Sequence, residues 1–220
     1  MSKEAILNQV RESLQARGAK NPHSFPEPLY TSPMKITQEN LLAEYIQNQI
    51  ANKSEVYESS KENLIVTLGE ILDKLKAKRV LCNEDLPCCC EDLKGKFKVE
   101  LYTQSVDKCK EEIFGIDTSI VLARCGIANL GIIGLSSNIN APRLSSLVTN
   151  NCIFLLERKN IVENLYLGVE FIKNYEKERA KSEVLPTNII FVAGPSRTAD
   201  IELQTVFGVH GPRHTFVVLY

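Results

Sequence analysis

The chain of 220 residues lacks two features that would each indicate a class of protein. Its most apolar stretch, residues 127–135, is far shorter than the ~20 residues of a membrane-spanning helix. It also has almost no net charge, since 26 Lys and Arg stand against 27 Asp and Glu, whereas a general nucleic-acid binder carries a basic face or excess. We therefore expect neither a membrane span nor nucleic-acid binding.

A secretory signal is also missing, because residues 1–6 carry charges of both signs and no apolar run follows them. The seven cysteines are then expected to be reduced thiols in a cytoplasmic protein. Cys88, Cys89 and Cys90 are adjacent, but no C-x-x-C motif accompanies them, and an iron–sulfur site needs four suitably spaced thiolates. We expect a loop of exposed thiols that folding does not require, and no metal or cofactor in this chain.

Apolar residues recur with helical and strand periods in alternation, which indicates βαβ units. The predicted fold class is α/β: a mainly parallel sheet with flanking helices, plus an N-terminal helical arm. Helices are predicted over residues 2–17, 37–50, 59–75, 161–181 and about 198–207. Strands are predicted over residues 55–58, 79–82, 97–102, 119–123, 131–135, 152–156, 188–193 and 215–219.

Four prolines in residues 21–33 interrupt the helical pattern and predict an extended linker. Residues 1–34 are accordingly predicted to be a helical arm with its linker, and residues 35–220 a single α/β domain. A lone helix of this length is marginal in water. We therefore expect the arm to dock on the body, on a second copy in a homo-oligomer, or on a partner protein.

Two turns near the carboxyl terminus carry residues suited to an anion site. The first follows residues 188–193, an apolar run typical of a strand buried on both faces, and ligands of open α/β sheets bind beyond the carboxyl ends of strands. Free backbone N–H groups, hydroxyls and guanidinium groups there suit a carboxylate or phosphate. The second turn would bring a histidine and an arginine to the same place. The candidate ligand-binding residues are Gly194, Ser196, Arg197, Thr198, His210 and Arg213.

Asp200 and Glu202 leave two interpretations open. In the first turn of the predicted helix they offset its positive end, and pairing with Arg197 or Arg213 would merely brace the edge of the sheet. They are also the candidate acid or nucleophile if the chain is an enzyme. Other sites are not indicated: the glycines of residues 126–134 match no nucleotide-binding fingerprint. No residue is identified as catalytic.

The segments GPSRTADIE at residues 194–202 and GVHGPR at residues 208–213 resemble the carboxyl-terminal signature of the lactate utilization protein C family, the LUD-domain proteins. Residues 126–128 and 142–147 are similar to further family landmarks, whereas residues 129–132 and 148–150 depart from the family pattern. The resemblance implies a fold like the NagB/RpiA/CoA-transferase group. It also implies a cytoplasmic role in oxidising L-lactate to pyruvate alongside two iron–sulfur partner proteins, and it supplies no catalytic residue.

Two functions are therefore expected. The first is a subunit or accessory of an iron–sulfur L-lactate-oxidising system, in which this chain is the non-redox component. The alternative is a small-molecule enzyme of the CoA-transferase/NagB-like group that acts on an anionic substrate, a carboxylate or a phosphate. The sequence leaves open whether the chain is catalytic by itself.

Overall fold

The structure, a computed structural model, describes residues 3–16, 40–102, 113–198 and 205–220. Contacts divide the chain into two units, residues 1–35 and 36–220. In the first unit, helix α1 (Lys3–Ala16) exposes the apolar side chains of Ile6 and Leu7. The predicted linker lies outside the described residues, so the docking of the arm stays a prediction. No helix within the described ranges is long and apolar enough to cross a membrane.

In its described residues the second unit contains two larger sheets, a two-stranded sheet and the helices that cover them. Its helices are α2 (Leu41–Ala51), α3 (Leu64–Leu75) and α4 (Leu165–Ala180). Its strands are β1 (Glu55–Glu58), β2 (Arg79–Cys82), β3 (Lys98–Leu101), β4 (Thr118–Leu122), β5 (Cys125–Ile127), β6 (Ile132–Ser136), β7 (Asn151–Leu156), β8 (Ile161–Val162), β9 (Ile189–Val192), β10 (Arg197–Thr198), β11 (Val206–Phe207) and β12 (His214–Leu219).

The larger sheet has six strands in the order β1-β12-β7-β4-β2-β3, and every neighbouring pair is parallel. Helices α3 and α2 cover its opposite faces. Alternate residues of β7 show this, since Ile153 and Leu155 pack in the cluster that contains α3, and Phe154 and Leu156 in the cluster that contains Tyr45 of α2. Burial on both faces explains the near-continuous apolar sequences of the central strands. The predicted α/β fold with a mainly parallel sheet is confirmed.

The smaller sheet has the order β8-β5-β6-β9 and is mostly antiparallel. Strand β9 is its edge strand and only half-buried, so the expectation of a strand buried on both faces is wrong for residues 188–193. Ile190 and Val192 pack against the core while the alternate side chains stay partly exposed. The apolar run therefore predicted the strand correctly but not its place in the fold. That place depends on pairing with β6, which is far away in the sequence.

Two predicted helices are also corrected. Ile161–Val162 forms β8, and the helix begins only after Asn164, whose side chain accepts a hydrogen bond from Leu167 N at 3.1 Å. The helix predicted over residues 198–207 is wrong at both of its described ends. There β10 pairs antiparallel with β11, and residues 199–204 lie outside the described residues.

The three adjacent cysteines differ from one another in the structure. Cys89 is exposed, Cys88 is half-buried, and Cys90 begins a 3₁₀ turn, Cys90–Leu93, that directs it into the core beside α3. The expectation of a loop of exposed thiols is therefore correct only for Cys89. A hydrogen bond with Cys82 and burial both raise the pKa of the Cys90 thiol, so it is neutral near pH 7.

We expect Cys90→Ser to lower the free energy of unfolding by about 1–3 kcal/mol, because it places a hydroxyl among apolar side chains. Cys89→Ser is the matched control, and its change should stay within about 0.5 kcal/mol because the side chain is exposed. Urea unfolding of the two variants measures the difference. Equal midpoints for Cys90→Ser and the unaltered protein would contradict the burial argument.

Candidate functional site

The two predicted turns meet, but at the other end of the sheet from the one expected. Ser196 N donates to Pro212 O at 2.9 Å, and Gly208 N donates to Ser196 O at 3.0 Å. The N–H groups of Arg213 and His214 both donate to Asn150 O, which immediately precedes β7. The turns therefore lie at the amino ends of β7 and β12. The prediction of the carboxyl end is wrong because β9, which leads into the first turn, belongs to the smaller sheet.

Gly194 is needed for close packing. Its φ is +70°, and a Cβ atom added there would lie 2.0 Å from the backbone oxygen of Asn52, at the end of α2. Only glycine combines this left-handed conformation with so close an approach. We assign Gly194 a packing role against α2.

An open pocket of about 570 Å³ lies beside these turns. We call it the amino-end pocket. Its lining residues are Lys53, Pro195, Thr205, Val206, Phe207, Arg213 and His214. Of the predicted ligand residues, Arg213 lies in this lining. Three further lining residues were not predicted: Lys53 carries a positive charge, His214 an imidazole and Phe207 an aromatic ring.

The other candidates are placed around the pocket without lining it. The Ser196 hydroxyl accepts a hydrogen bond from His210 N at 3.2 Å, which holds the two turns together. Arg197 is exposed, and its Nη2 donates to Ala193 O at 3.3 Å. Thr198 is half-buried opposite Val206 in the β10–β11 pair, and His210 is exposed. Asp200 and Glu202 lie outside the described residues, so their roles stay predictions.

Local geometry explains how Lys53 reaches the pocket. Two residues after the end of α2, Lys53 is in the left-handed conformation, at φ 70°, and its N–H donates to Ile50 O. This residue reverses the chain into β1, as left-handed residues at helix ends commonly do. A lysine there sacrifices some stability relative to glycine, because a side chain is strained at positive φ.

The described lining of the amino-end pocket is electropositive. None of these lining residues is acidic, and within the described ranges neither Lys53 nor Arg213 has an ion-pair partner. Glu55 of the neighbouring strand β1 is held by Lys74 at 2.5 Å. Burial would raise the pKa of Glu55, but its hydrogen bonds with Lys74 and Tyr57 prevail and keep that pKa below its usual 4.5. Glu55 is thus paired with Lys74, and its charge also interacts with His214 of the pocket lining.

A second polar cluster, which we call the carboxyl-end cluster, lies where the sequence predicted a ligand site. Arg124 is 1% exposed, and its Nη2 lies 2.6 Å from Asp85 Oδ2. Its Nε donates to Ser136 Oγ at 2.9 Å, and Ser136 in turn donates to Glu176 Oε1 at 2.5 Å. The guanidinium also stacks over the ring of Tyr175, 5.1 Å from its centroid.

Glu176 connects this cluster to α4. Burial would raise the pKa of its carboxyl group, but the hydrogen bonds from Ser136 and Arg179 and the charges of Arg124 and Arg179 prevail and lower that pKa. The charges of Arg124, Arg179, Asp85 and Glu176 cancel, so the cluster offers no unbalanced charge to a ligand. Its members come from the loop after β2, the β4–β5 junction, β6 and α4, and it therefore joins the two sheets.

The sequence contains a signal for the carboxyl-end cluster. Arg124 and Asp85 each follow a correctly predicted strand within a few residues, and carboxyl ends of adjacent parallel strands converge. Asn83 lies beside them, 2% exposed, with no hydrogen-bond partner for its amide atoms in the described part of the chain. It lines a cavity of about 10 Å³, the size of roughly one water molecule.

No group of three or more His, Cys, Asp or Glu residues that could hold a metal ion is found within residues 3–16, 40–102, 113–198 and 205–220. The two polar regions differ in charge and in access to a ligand. The carboxyl-end cluster is internally neutral and buried, while the amino-end pocket is open, partly apolar and cationic. The amino-end pocket is the candidate functional site, and it is suited to an anion.

Comparison with known proteins identifies the family. Residues 34–220 match the family model of the LUD domain. The chain belongs to the LUD domain family. The resemblance noted in the sequence is thereby confirmed, and in this LUD domain the described parts of the signature at residues 194–202 and 208–213 border the amino-end pocket.

Two relatives cover most of this LUD domain. Lactate utilization protein C 1 of Bacillus mycoides is 28% identical over 231 residues, which span 99% of this chain and 96% of that protein. An uncharacterised protein of Neisseria meningitidis serogroup B is 30% identical over 179 residues, 76% of this chain and 72% of the other. A crystal structure of a DUF162 family protein from Deinococcus radiodurans has a TM-score of 0.60 at 17% identity, covering 84% of this chain and 99% of that one, and so has the same fold.

Proposed function

We propose that this LUD domain acts in lactate utilization as the non-redox component of a cytoplasmic iron–sulfur system that oxidises L-lactate to pyruvate. The observation that carries the proposal is the similarity to a lactate utilization protein C over 99% of the chain. Oxidation of lactate to pyruvate releases an electron pair and two protons. In this proposal the iron–sulfur partner proteins accept the electrons, as the family resemblance implies.

The contribution of this chain is to bind an anion in the amino-end pocket. Arg213 presents a planar guanidinium that matches a carboxylate or a phosphate with two parallel hydrogen bonds, and Lys53 adds a second positive charge. Because no acid is found among the described lining residues, neither charge is paired with one of them. An entering anion would therefore gain both interactions.

The cationic pocket also favours the alternative function, an enzyme of the CoA-transferase/NagB-like group with an anionic substrate. That function needs a carboxylate nucleophile, for which Asp200 and Glu202 remain the candidates. The two functions differ in one observable. Only under the first function should loss of the gene prevent growth on lactate and leave growth on pyruvate unaffected.

In the organism that encodes this chain, we expect deletion of its gene to abolish growth on L-lactate and to leave growth on pyruvate unchanged. The unaltered gene should restore lactate consumption, and Arg213→Gln should restore it about tenfold less well, because a charge-assisted hydrogen bond contributes about 1.5–3 kcal/mol. Rates of lactate consumption by washed cells measure both effects.

The matched control is Arg158→Gln, which removes a partly exposed arginine that pairs with Glu58, away from the amino-end pocket. It should restore consumption fully. A deletion strain that grows on lactate at the normal rate would contradict the proposed function. Full restoration by Arg213→Gln would contradict only the role of the pocket.

A further inference from the structure

The amino-end pocket is much larger than lactate. At ~30 Å³ for each water-sized atom, the six non-hydrogen atoms of lactate would fill roughly a third of its 570 Å³. Pockets of this volume are typical of ligands the size of a cofactor or a drug molecule. If lactate alone occupied the pocket, most of the lining would stay in contact with water.

The lining has two chemically different parts. Lys53, just after α2, and Arg213, immediately before β12, supply two positive charges from separate parts of the chain, and the imidazole of His214 lies beside them. Pro195, Val206 and Phe207 supply an apolar wall. Val206 and Phe207 are 47% and 38% exposed, which leaves an aromatic and a branched side chain available to a ligand.

We propose that the amino-end pocket binds an organic dianion with an aromatic or similarly apolar body, rather than lactate itself. The two cations take the charged group, and the ligand body covers Phe207 and Val206. This inference rests on the proposed function, in which the amino-end pocket binds an anion, and it adds the class of anion that binds there. The charged group is a phosphate or a pair of carboxylates, since both are matched by an arginine and a lysine.

The test compares ligands that have the charge, the body or both, by isothermal titration calorimetry on the full chain. AMP carries a phosphate on an aromatic nucleoside, and phenylsuccinate carries two carboxylates on a phenyl ring. Adenosine has the body without the charge, while inorganic phosphate and L-lactate have the charge without the body. We expect AMP, phenylsuccinate or both to bind at least about tenfold more tightly than the other three, with Kd below about 1 mM. The stronger of the two identifies the charged group.

Variants locate the binding. Arg213→Gln removes the planar charge and Phe207→Ser removes the aromatic wall without changing the net charge, and each should raise the Kd of the better probe at least about tenfold. Arg158→Gln should leave that Kd unchanged. Circular dichroism spectra that match the unaltered protein confirm folding of all three variants, whose replaced side chains are all at least partly exposed.

Three results would overturn the inference. L-lactate would bind as tightly as AMP or phenylsuccinate, or neither AMP nor phenylsuccinate would bind at about 1 mM. In the third result, the Kd of the better probe would be the same in Arg213→Gln and in Phe207→Ser as in the unaltered protein. These results are separate from the growth test. A strain that grows normally on lactate without the gene would refute the proposed function while leaving the measured ligand class intact. A strain that cannot grow on lactate without the gene, together with a protein that binds neither AMP nor phenylsuccinate, would support the proposed function and refute the ligand class.

Discussion

Replacing Arg124 by Met is expected to lower the free energy of unfolding by about 3–5 kcal/mol. The substitution keeps a side chain of similar length but removes the only charge that contacts Asp85 among the described residues. It also removes the hydrogen bond to Ser136 and the stacking on Tyr175. Asp85 is only 15% exposed, and a largely buried carboxylate without its cation is costly to a domain. A loss of this size is a large part of a typical total of about 5–15 kcal/mol.

The matched control is Arg158→Met, because Arg158 makes an ion pair of similar length, 3.1 Å to Glu58, between partly exposed side chains. Exposed pairs contribute little, so its effect should stay below about 1 kcal/mol. Chemical unfolding followed by circular dichroism measures both variants. A loss for Arg124→Met no larger than that for Arg158→Met would contradict the assignment of the carboxyl-end cluster as the joint between the two sheets.

The pH dependence gives an independent check on the same cluster. Because the pKa of Glu176 is lowered on folding, its contribution to stability is fully present above its usual pKa of 4.5 and is lost as the pH falls through the lower folded value. In Arg124→Met one of the cations that hold Glu176 ionised is gone, so less of this contribution remains to be lost. The stability difference between the two proteins should therefore shrink below about pH 4.5. A difference that stays constant from pH 7 to pH 3 would contradict the charge argument.

Gly131→Ala is expected to destabilise the domain by about 3 kcal/mol or more. Gly131 has φ +56°, which is unfavourable for alanine, and the new Cβ would lie 2.4 Å from the backbone carbon of Asn48 and 2.6 Å from the backbone nitrogen of Gln49. Both atoms belong to the backbone of α2, so a rotamer change cannot relieve the contact. The helix would have to move away from the loop.

Such a movement would also break hydrogen bonds. The Asn48 side chain donates to Ala128 O at 2.8 Å, and the Asn52 side chain donates to Leu130 O and Gly131 O at 2.8 and 2.9 Å. These bonds attach α2 to residues 128–131, and residues 129–131 belong to a segment in which the chain departs from the family pattern. The carbonyl groups would lose their partners in a partly buried place, which adds to the cost.

Gly69→Ala is the control for this substitution. Gly69 lies within α3, and an added Cβ would meet no heavy atom within 4 Å. Alanine is favoured over glycine in a helix by about 1 kcal/mol, so this variant should be as stable as the unaltered protein or more stable. Thermal unfolding of the two alanine variants should give melting temperatures on opposite sides of the reference. Equal stability of the two would show that α2 does not approach residue 131 as closely as described.

Much of the local structure was predictable because it depends on short-range periodicity. The spacing of apolar residues identified the strands β1, β2, β4, β7 and β12 within one or two residues. It also identified α3 and its end at Leu75, although the helix begins five residues later than predicted, and the alternation of elements indicated a parallel sheet. The signature near the carboxyl terminus identified the family, and its two turns do meet. These features follow from neighbours in the chain or from a long specific motif.

The location of the site was decided by the tertiary structure alone. The apolar pattern of residues 188–193 suits a strand of either sheet. Only the pairing of this strand with β6, in which Ile133 lies opposite Val192, assigns it to the smaller sheet. The turn that follows therefore lies at the amino ends of β7 and β12. The partners of Arg124 come from positions 85, 136 and 176, so no sequence window contains them together. The sequence by itself determined most of the elements, the fold class and the family, because these depend on local patterns of residues. Which side chains share a pocket or a buried ion pair is a property of strand order, and strand order is set by contacts between residues far apart in the chain.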